Sequence, residues 1–479
     1  MWRLAKVWVW LLIGMGFPMS LCAEDFPESD LSARIDKLEQ DVQTLEAREA
    51  TTAEIEDAAE NAKIEKVVES YLKQEQERKA SSRPTVSVFG RLHIDGIFFP
   101  EASRGIDYLE NPGSGSEVQD RILFRRIRLG TQGNISPTGV YRLDMDFTSP
   151  NSPSMRDMYL GFNDLPIFQT VLIGNQKRPV GLDAWNSSTN AFFLERPLAV
   201  NALNPNIRRI GVQSYGYSQS ESLNWQAGIF ESSDVQAVGT YVDDHLQYCY
   251  VGRISGTPWY DETSGGRGYL HLGISDMYVQ TDPSFNASSS PQNFARFRTR
   301  PELQTSSNWL DTGNLIGAEG YDVLGLEMVV NVGSLQVTGE FLDAWVDRQS
   351  DPDLFFHGGY VQVAYFLTGE YAPWDRQAGR VGRIQPLEDF FLVDRYNGGI
   401  AQGWGAWQVA ARLSYLDLSD EEVHGGQQEN LALALNWYWT SHSKVIMNLI
   451  HGSINDHYSS GGYTGGDFTA LGIRFMMDY

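Results

Sequence analysis

Residues 468–479 constrain the fold more tightly than any other stretch of the chain. Thr469, Leu471, Ile473, Phe475, Met477 and Tyr479 share one parity; Phe468, Ala470, Gly472, Arg474, Met476 and Asp478 share the other. Successive side chains of a strand point to opposite faces, so one face is an almost unbroken apolar row and the other carries an arginine and an aspartate. An edge strand of a soluble sandwich would have to hide that row under a second layer. A strand that meets lipid outside and water inside needs no such layer, and suits a transmembrane barrel.

The same alternation recurs upstream. Tyr141, Leu143, Met145 and Phe147 oppose Arg142, Asp144 and Asp146. Leu324, Leu326, Met328, Val330 and Val332 oppose Gly325, Glu327 and Asn331, and Leu431, Leu433, Leu435, Trp437 and Trp439 oppose Ala432, Ala434, Asn436 and Tyr438. Strands are expected near 86–99, 121–133, 140–148, 155–163, 168–177, 207–217, 223–231, 247–257, 268–280, 320–332, 334–344, 356–369, 402–416, 428–440, 443–453 and 468–479, with long loops alternating with short turns. The expected fold is therefore all-β: a transmembrane antiparallel β-barrel of about 16 strands over residues 84–479. Mean hydropathy is −0.32, as in soluble proteins, but alternation dilutes the hydropathy of membrane strands.

The amino-terminal residues read differently. Arg3 and Lys6 precede an apolar run from Val7 to Phe17, followed by Ser20 and Ala23, the layout of a secretory signal peptide over 1–23. Cys22 leaves lipidation open, although Leu21 stands where a small residue is expected. Residues 24–83 are expected to form a periplasmic helical segment and linker, because glycine and proline vanish from about Asp30 to Lys79. Leu31, Ile35, Leu38, Val42 and Leu45 keep a 4-3-4-3 spacing, a coiled-coil seam of about two heptads. A partly disordered spacer is the competing reading.

Charge and residue type narrow the function. The formal net charge is −24, so a nucleic-acid partner would be repelled. The two cysteines, Cys22 and Cys249, offer neither a disulfide framework nor a metal site, and no cofactor is implied. Eight histidines lie singly, without paired metal spacing or a serine elbow, which argues against an enzyme and leaves no catalytic or metal residues to nominate.

Two groups of residues are candidates for a pore. Parity turns Arg126, Arg128, Arg142, Arg209, Arg412 and Arg474 inward, where guanidinium groups can hand an oxyanion along the wall. Arg125 falls on the outer parity with Leu123, Ile127 and Leu129. Pairing of the inward arginines with Asp144, Asp146, Asp157 or Glu340 across the lumen would instead stiffen the wall. The long segment 178–206 carries aromatics in mid-loop and is expected to fold into the barrel. Lys177, Arg178, Ser187, Ser188, Thr189, Glu195 and Arg196 are its candidate constriction residues; the alternative is an outer loop packed on itself.

Several runs resemble one known family. Arg125-Arg126-Ile127-Arg128-Leu129-Gly130, Gly174-Asn175-Gln176-Lys177-Arg178-Pro179-Val180-Gly181-Leu182, and Ser187-Ser188 followed by Phe193-Leu194-Glu195-Arg196 look like the phosphate-selective porins O and P. So do Gly405 to Ser414, Gly425 to Asn430 and Asn436-Trp437-Tyr438. The resemblance implies a trimeric sixteen-stranded outer-membrane porin with an inward loop and an arginine-lined anion path. It implies partners in outer-membrane lipid, two further copies of the chain, and small solutes or inorganic anions such as phosphate. Where relatives often carry a lysine after the paired serines, this chain has Thr189 and Asn190, which weakens the implied phosphate selectivity. A barrel that anchors a cell-wall-binding coiled coil, with little conductance, is the alternative function.

Overall fold

The computed structural model describes residues 36, 37, 39, 40 and 84–479, apart from 150, 236–245, 284–293 and 395–398. Asp36, Lys37, Glu39 and Gln40 are helical; the signal peptide and nearly all of the expected coiled coil lie outside the described residues. By its contacts the chain divides into two units, Met1–Ala80 and Ser81–Tyr479, of which the second holds the strands.

Sixteen antiparallel strands close into a single barrel. They begin with Ser87–Ala102, Arg121–Asn134, Gly139–Asp146 and Ser154–Leu165 and end with Ala406–Asp420, Val423–Thr440, Ser443–His457 and Gly466–Asp478. Each strand pairs with its sequence neighbour in the barrel, and the first pairs with the last, Leu92 opposite Met477 and Asp95 opposite Arg474. Closure satisfies the backbone and removes both edges, which is what allows strands to cross a bilayer. It also removes the soluble-sandwich reading of 468–479. Leu433, Leu449 and Leu471 remain 41–46% exposed on the outside, with no second layer over them. Across the pleat Asn436, Arg412 and Arg474 are buried inside. No described helix is long and apolar enough to span a membrane.

Alternation mispredicted one place. His93 pairs with Arg126 but Ile94 with Phe124, so Arg125 is the extra residue of a β-bulge. One inserted residue flips the parity on one side of it. Ile122 and Phe124 therefore point outward, at 80% and 53% exposure, while Leu123 turns to the interior core. The expected outward Arg125 is thus corrected: its guanidinium reaches into the lumen, to Glu195.

Three connections fill much of the interior. Segment 178–206 enters from one mouth and buries Val180, Leu182, Phe193, Leu198 and Val200, in one core with wall residues such as Val323, Leu342, Phe356 and Leu416. The long connection 281–319 buries Phe297, Leu303 and Trp309 and forms a small ribbon, Arg298–Thr299 with Leu310–Asp311. The connection between Leu354–Phe366 and Ala406–Asp420 starts from the end that carries the short turns. It sends Trp374–Val381 into the barrel and ends in a second ribbon, Phe390–Asp394 with Ile400–Trp404.

Candidate functional site

The inward course of 178–206 has local causes. Gly181 takes φ 72°, and a Cβ there would meet the Glu340 carboxylate at 2.7 Å. Only glycine accepts both constraints cheaply. The turn it permits starts a single helical turn, Leu182–Trp185, whose first amides need acceptors. Glu340 supplies them from the opposite wall, accepting from the Leu182 and Asp183 amides at 2.6 and 2.8 Å while Tyr360 donates to it at 2.6 Å. At the base of the loop, buried Arg178 donates to Asn204 Oδ1 and Pro205 O at 2.9 and 2.8 Å, tying the two ends of the segment together.

Further along, the segment is held by side chains from several strands. Leu194 N donates to Asn448 Oδ1 at 3.2 Å, Asn436 donates to Phe192 O at 3.0 Å, and Lys444 donates to Ala191 O at 2.6 Å. Glu195 is the charged centre of this contact. Arg125 holds it with two hydrogen bonds of 2.6 and 2.9 Å, and Arg474 donates to it at 2.9 Å. Burial would push the Glu195 carboxyl up, but Arg125, Arg474 and Arg126 together hold it well below the usual carboxylate range. Arg474 also grips Asp95 at 2.7 and 2.6 Å, so the seam between first and last strands is closed by a bidentate pair.

The structure divides the sequence-nominated arginines by partner. Arg412 pairs with Glu302 at 2.5 Å and lies over the Phe193 ring, and Arg128 pairs with Asp146 at 2.9 Å. Arg142 lies over Phe89 and donates to Gln132 at 2.5 Å. Arg209 spends its donors on the carbonyls of Ser232, Asn206 and Arg208. Its neighbour Arg208 is the one that grips Asp157, with two hydrogen bonds of 2.9 Å. Among the described residues, the hydrogen-bond partner of the Arg126 side chain is His93 Nδ1 at 3.1 Å. Lys177 donates to the carbonyls of Trp185 and Asn186 at 3.0 and 2.7 Å, and Arg196 pairs with Asp183 at 3.1 Å. Ser187 and Thr189 share a 2.7 Å hydroxyl contact, and Ser188 accepts from Arg91 at 2.9 Å.

Sequence reasoning did not nominate Arg91, Arg208, Arg380 or Arg383, nor the segment around them. Trp185 Nε1 donates to Ala378 O at 2.8 Å, Asn190 donates to Val381 O at 2.9 Å, and Val381 N donates to Asn186 Oδ1 at 3.0 Å. Segments from opposite mouths thus meet in the lumen. The available signal was the length of the connection after Phe366, far longer than the turns at that end of an outer-membrane barrel.

A cavity of about 570 Å³ lies where they meet. Arg91, Arg126, Arg128, Arg142, Lys177, Arg196, Arg208, Arg380 and Arg383 line it, nine cations against Asp144, Asp157, Asp375 and Asp478. A smaller cavity of about 40 Å³ shares Arg126, Ser187, Ser188, Asn190, Arg196 and Val381 with it. Guanidinium and ammonium groups crowded in a low-dielectric channel raise the local concentration of anions.

The chain is similar to several known proteins. A curated protein from Caulobacter vibrioides, uncharacterised, is 28% identical over 367 residues, which cover 75% of this chain and 66% of that protein's length. Among solved structures, an anion-selective porin from Comamonas acidovorans superposes with a TM-score of 0.47 at 12% identity, covering 83% of this chain and all of that one. The outer-membrane channel DcaP of Acinetobacter baumannii gives 0.47 at 11% identity, covering 83% and 98%. The sequence pattern of the phosphate-selective porins O and P matches residues 105–479, most of the barrel, and the chain belongs to that family.

Proposed function

We propose that this outer-membrane porin passes small inorganic anions, phosphate among them, through a lumen narrowed by segment 178–206. One observation carries the reading. In a chain of net charge −24, the cavity beside that segment gathers nine cations and four aspartates. Among the described residues, Arg91, Arg126 and Lys177 have no carboxylate within ion-pair distance, so their charge is left to a passing solute. Ser187, Ser188 and Asn190 line both cavities and add neutral polar groups where an anion would shed water. Of the sequence-nominated arginines, Arg126 is the one we assign to the path. Arg128 and Arg142 line the same cavity beside carboxylates, and Arg209, Arg412 and Arg474 hold the segments in place. We read residues 24–83 as a periplasmic coiled coil that joins three copies, after removal of 1–23.

The test is the reversal potential in a planar bilayer under a potassium chloride gradient, repeated with phosphate as competitor. The wild-type channel is expected to favour chloride over potassium, and phosphate to lower the chloride current. Arg91→Ala, Arg126→Ala and Lys177→Ala combined should bring the permeability ratio close to one. An unchanged ratio in that variant removes these residues from the path. Absence of conductance steps would favour the anchor reading, for which the small size of the cavity beside Phe193 and Glu195, about 40 Å³, is the supporting observation.

A further inference from the structure

We propose that the ribbon of Phe390–Asp394 and Ile400–Trp404 is an interfacial foot, seated in the phospholipid headgroup layer at the short-turn rim of the barrel. The proposal is independent of what passes through the lumen. The ribbon starts from a connection that first enters the barrel, yet it ends on the outside of the wall. The Phe390 ring meets Trp437 edge-to-face at 4.7 Å and lies 6.1 Å from Trp439. Trp437 Nε1 donates to Trp404 O at 2.8 Å. Trp437 and Trp439 share the outward parity of Leu431 and Leu433; Trp437 stacks on Trp407 at 5.0 Å, and Trp439 lies 6.4 Å from Phe475. These rings lie on the outer face near the Thr440–Ser443 turn, the level at which membrane barrels carry an aromatic girdle.

Among the described side chains of the ribbon and its approach, the large exposed ones are apolar, with Gln402 exposed between Ile400 and Trp404. Leu387, Ile400 and Trp404 are 68–70% exposed, and Phe391 is 55% exposed. An isolated two-stranded ribbon is marginal in water, and this one is propped against the wall through Phe390 while Phe391, Ile400 and Trp404 stay open. Lipid is the occupant that fits. The patch joins the girdle through the contacts of Phe390 and Trp404 with Trp437, and tryptophan favours the boundary between acyl chains and water. Glu388 and Asp389 precede the ribbon, so the contact is one of apolar burial rather than attraction to anionic headgroups.

The full-length protein is reconstituted in vesicles of phosphatidylethanolamine and phosphatidylglycerol with a photoreactive side chain, Trp404→p-benzoylphenylalanine. Leu433→p-benzoylphenylalanine serves as a lipid-facing reference and Ser114→p-benzoylphenylalanine as one on an outer loop. Illumination should add the mass of one phospholipid at position 404, as at 433, and none at 114. A cross-linked dimer at 404 without lipid adduct would mean that a second copy covers the ribbon, and overturns the proposal. An adduct at 433 but none at 404 would mean that the ribbon stands in water, and overturns it equally. Ile400→p-benzoylphenylalanine should repeat the result at 404 from the partner strand.

Discussion

At the scale of single residues, Glu195 has the most to do with charge balance in the lumen. It sits between Arg125 and Arg474, so Glu195→Gln removes the carboxylate that Arg125 pairs with, while Arg474 keeps Asp95. The variant should shift the reversal potential in a salt gradient further towards anion selectivity, and an unchanged value would place Glu195 away from the ion path. Because the folded carboxyl titrates below its unfolded value, its stabilising contribution is full above the ordinary carboxylate range and is lost progressively as pH falls from that range through the lowered value. The difference in reversal potential between wild type and Glu195→Gln should therefore persist at about pH 4, near the ordinary glutamate value, and its disappearance there would mean that Glu195 is already neutral. Residue-level legibility was uneven for a physical reason. Arg412 and Arg474 sit mid-strand, where period two is reliable, and both face inward. Arg125 sits on a bulge, which leaves no mark in the alternation, and Arg208 opens its strand, where the chain has just left a loop.

Elements were more legible than residues, because sixteen strands repeat one constraint and each repetition supports the others. The outer rows follow from solvent alone: every second side chain must suit lipid. Leu433 lies in the middle of its strand on that face and is 46% exposed. Leu433→Arg should cost about 2–4 kcal/mol if it lies near the bilayer midplane. Denaturant titration of the protein in lipid vesicles measures this, and a loss indistinguishable from zero would mean that the face is covered by protein or water. The interior segments were harder to read. Segment 178–206 betrayed itself through apolar residues in mid-loop. Residues 369–384 pack through Ala372, Trp374, Val381 and Ile384, four apolar side chains without period, separated by residues that make backbone contacts. No periodic rule detects that arrangement.

For the molecule as a whole, an acidic chain encloses a cationic cavity, and the two act at different ranges. Screening shortens from about 10 Å at 0.1 M salt to about 3 Å at 1 M, so distant surface acids fade before the cations that touch a passing ion. The chloride-to-potassium permeability ratio should nevertheless fall as salt rises from 0.1 to 1 M, because focusing along the channel also weakens. A ratio that does not move with salt would show that selection depends on size rather than charge. The seam between first and last strands has a consequence for assembly. Asp95 and Arg474 stand 379 positions apart in the chain, and each is buried against the other. Until Arg474 arrives, the first strand is an open edge with an unneutralised carboxylate, and the sheet cannot seal. Pairing over that separation carries a long loop-closure search before any reward, so zipping of this seam should be the slow, late event in folding, the one that commits the chain to its membrane.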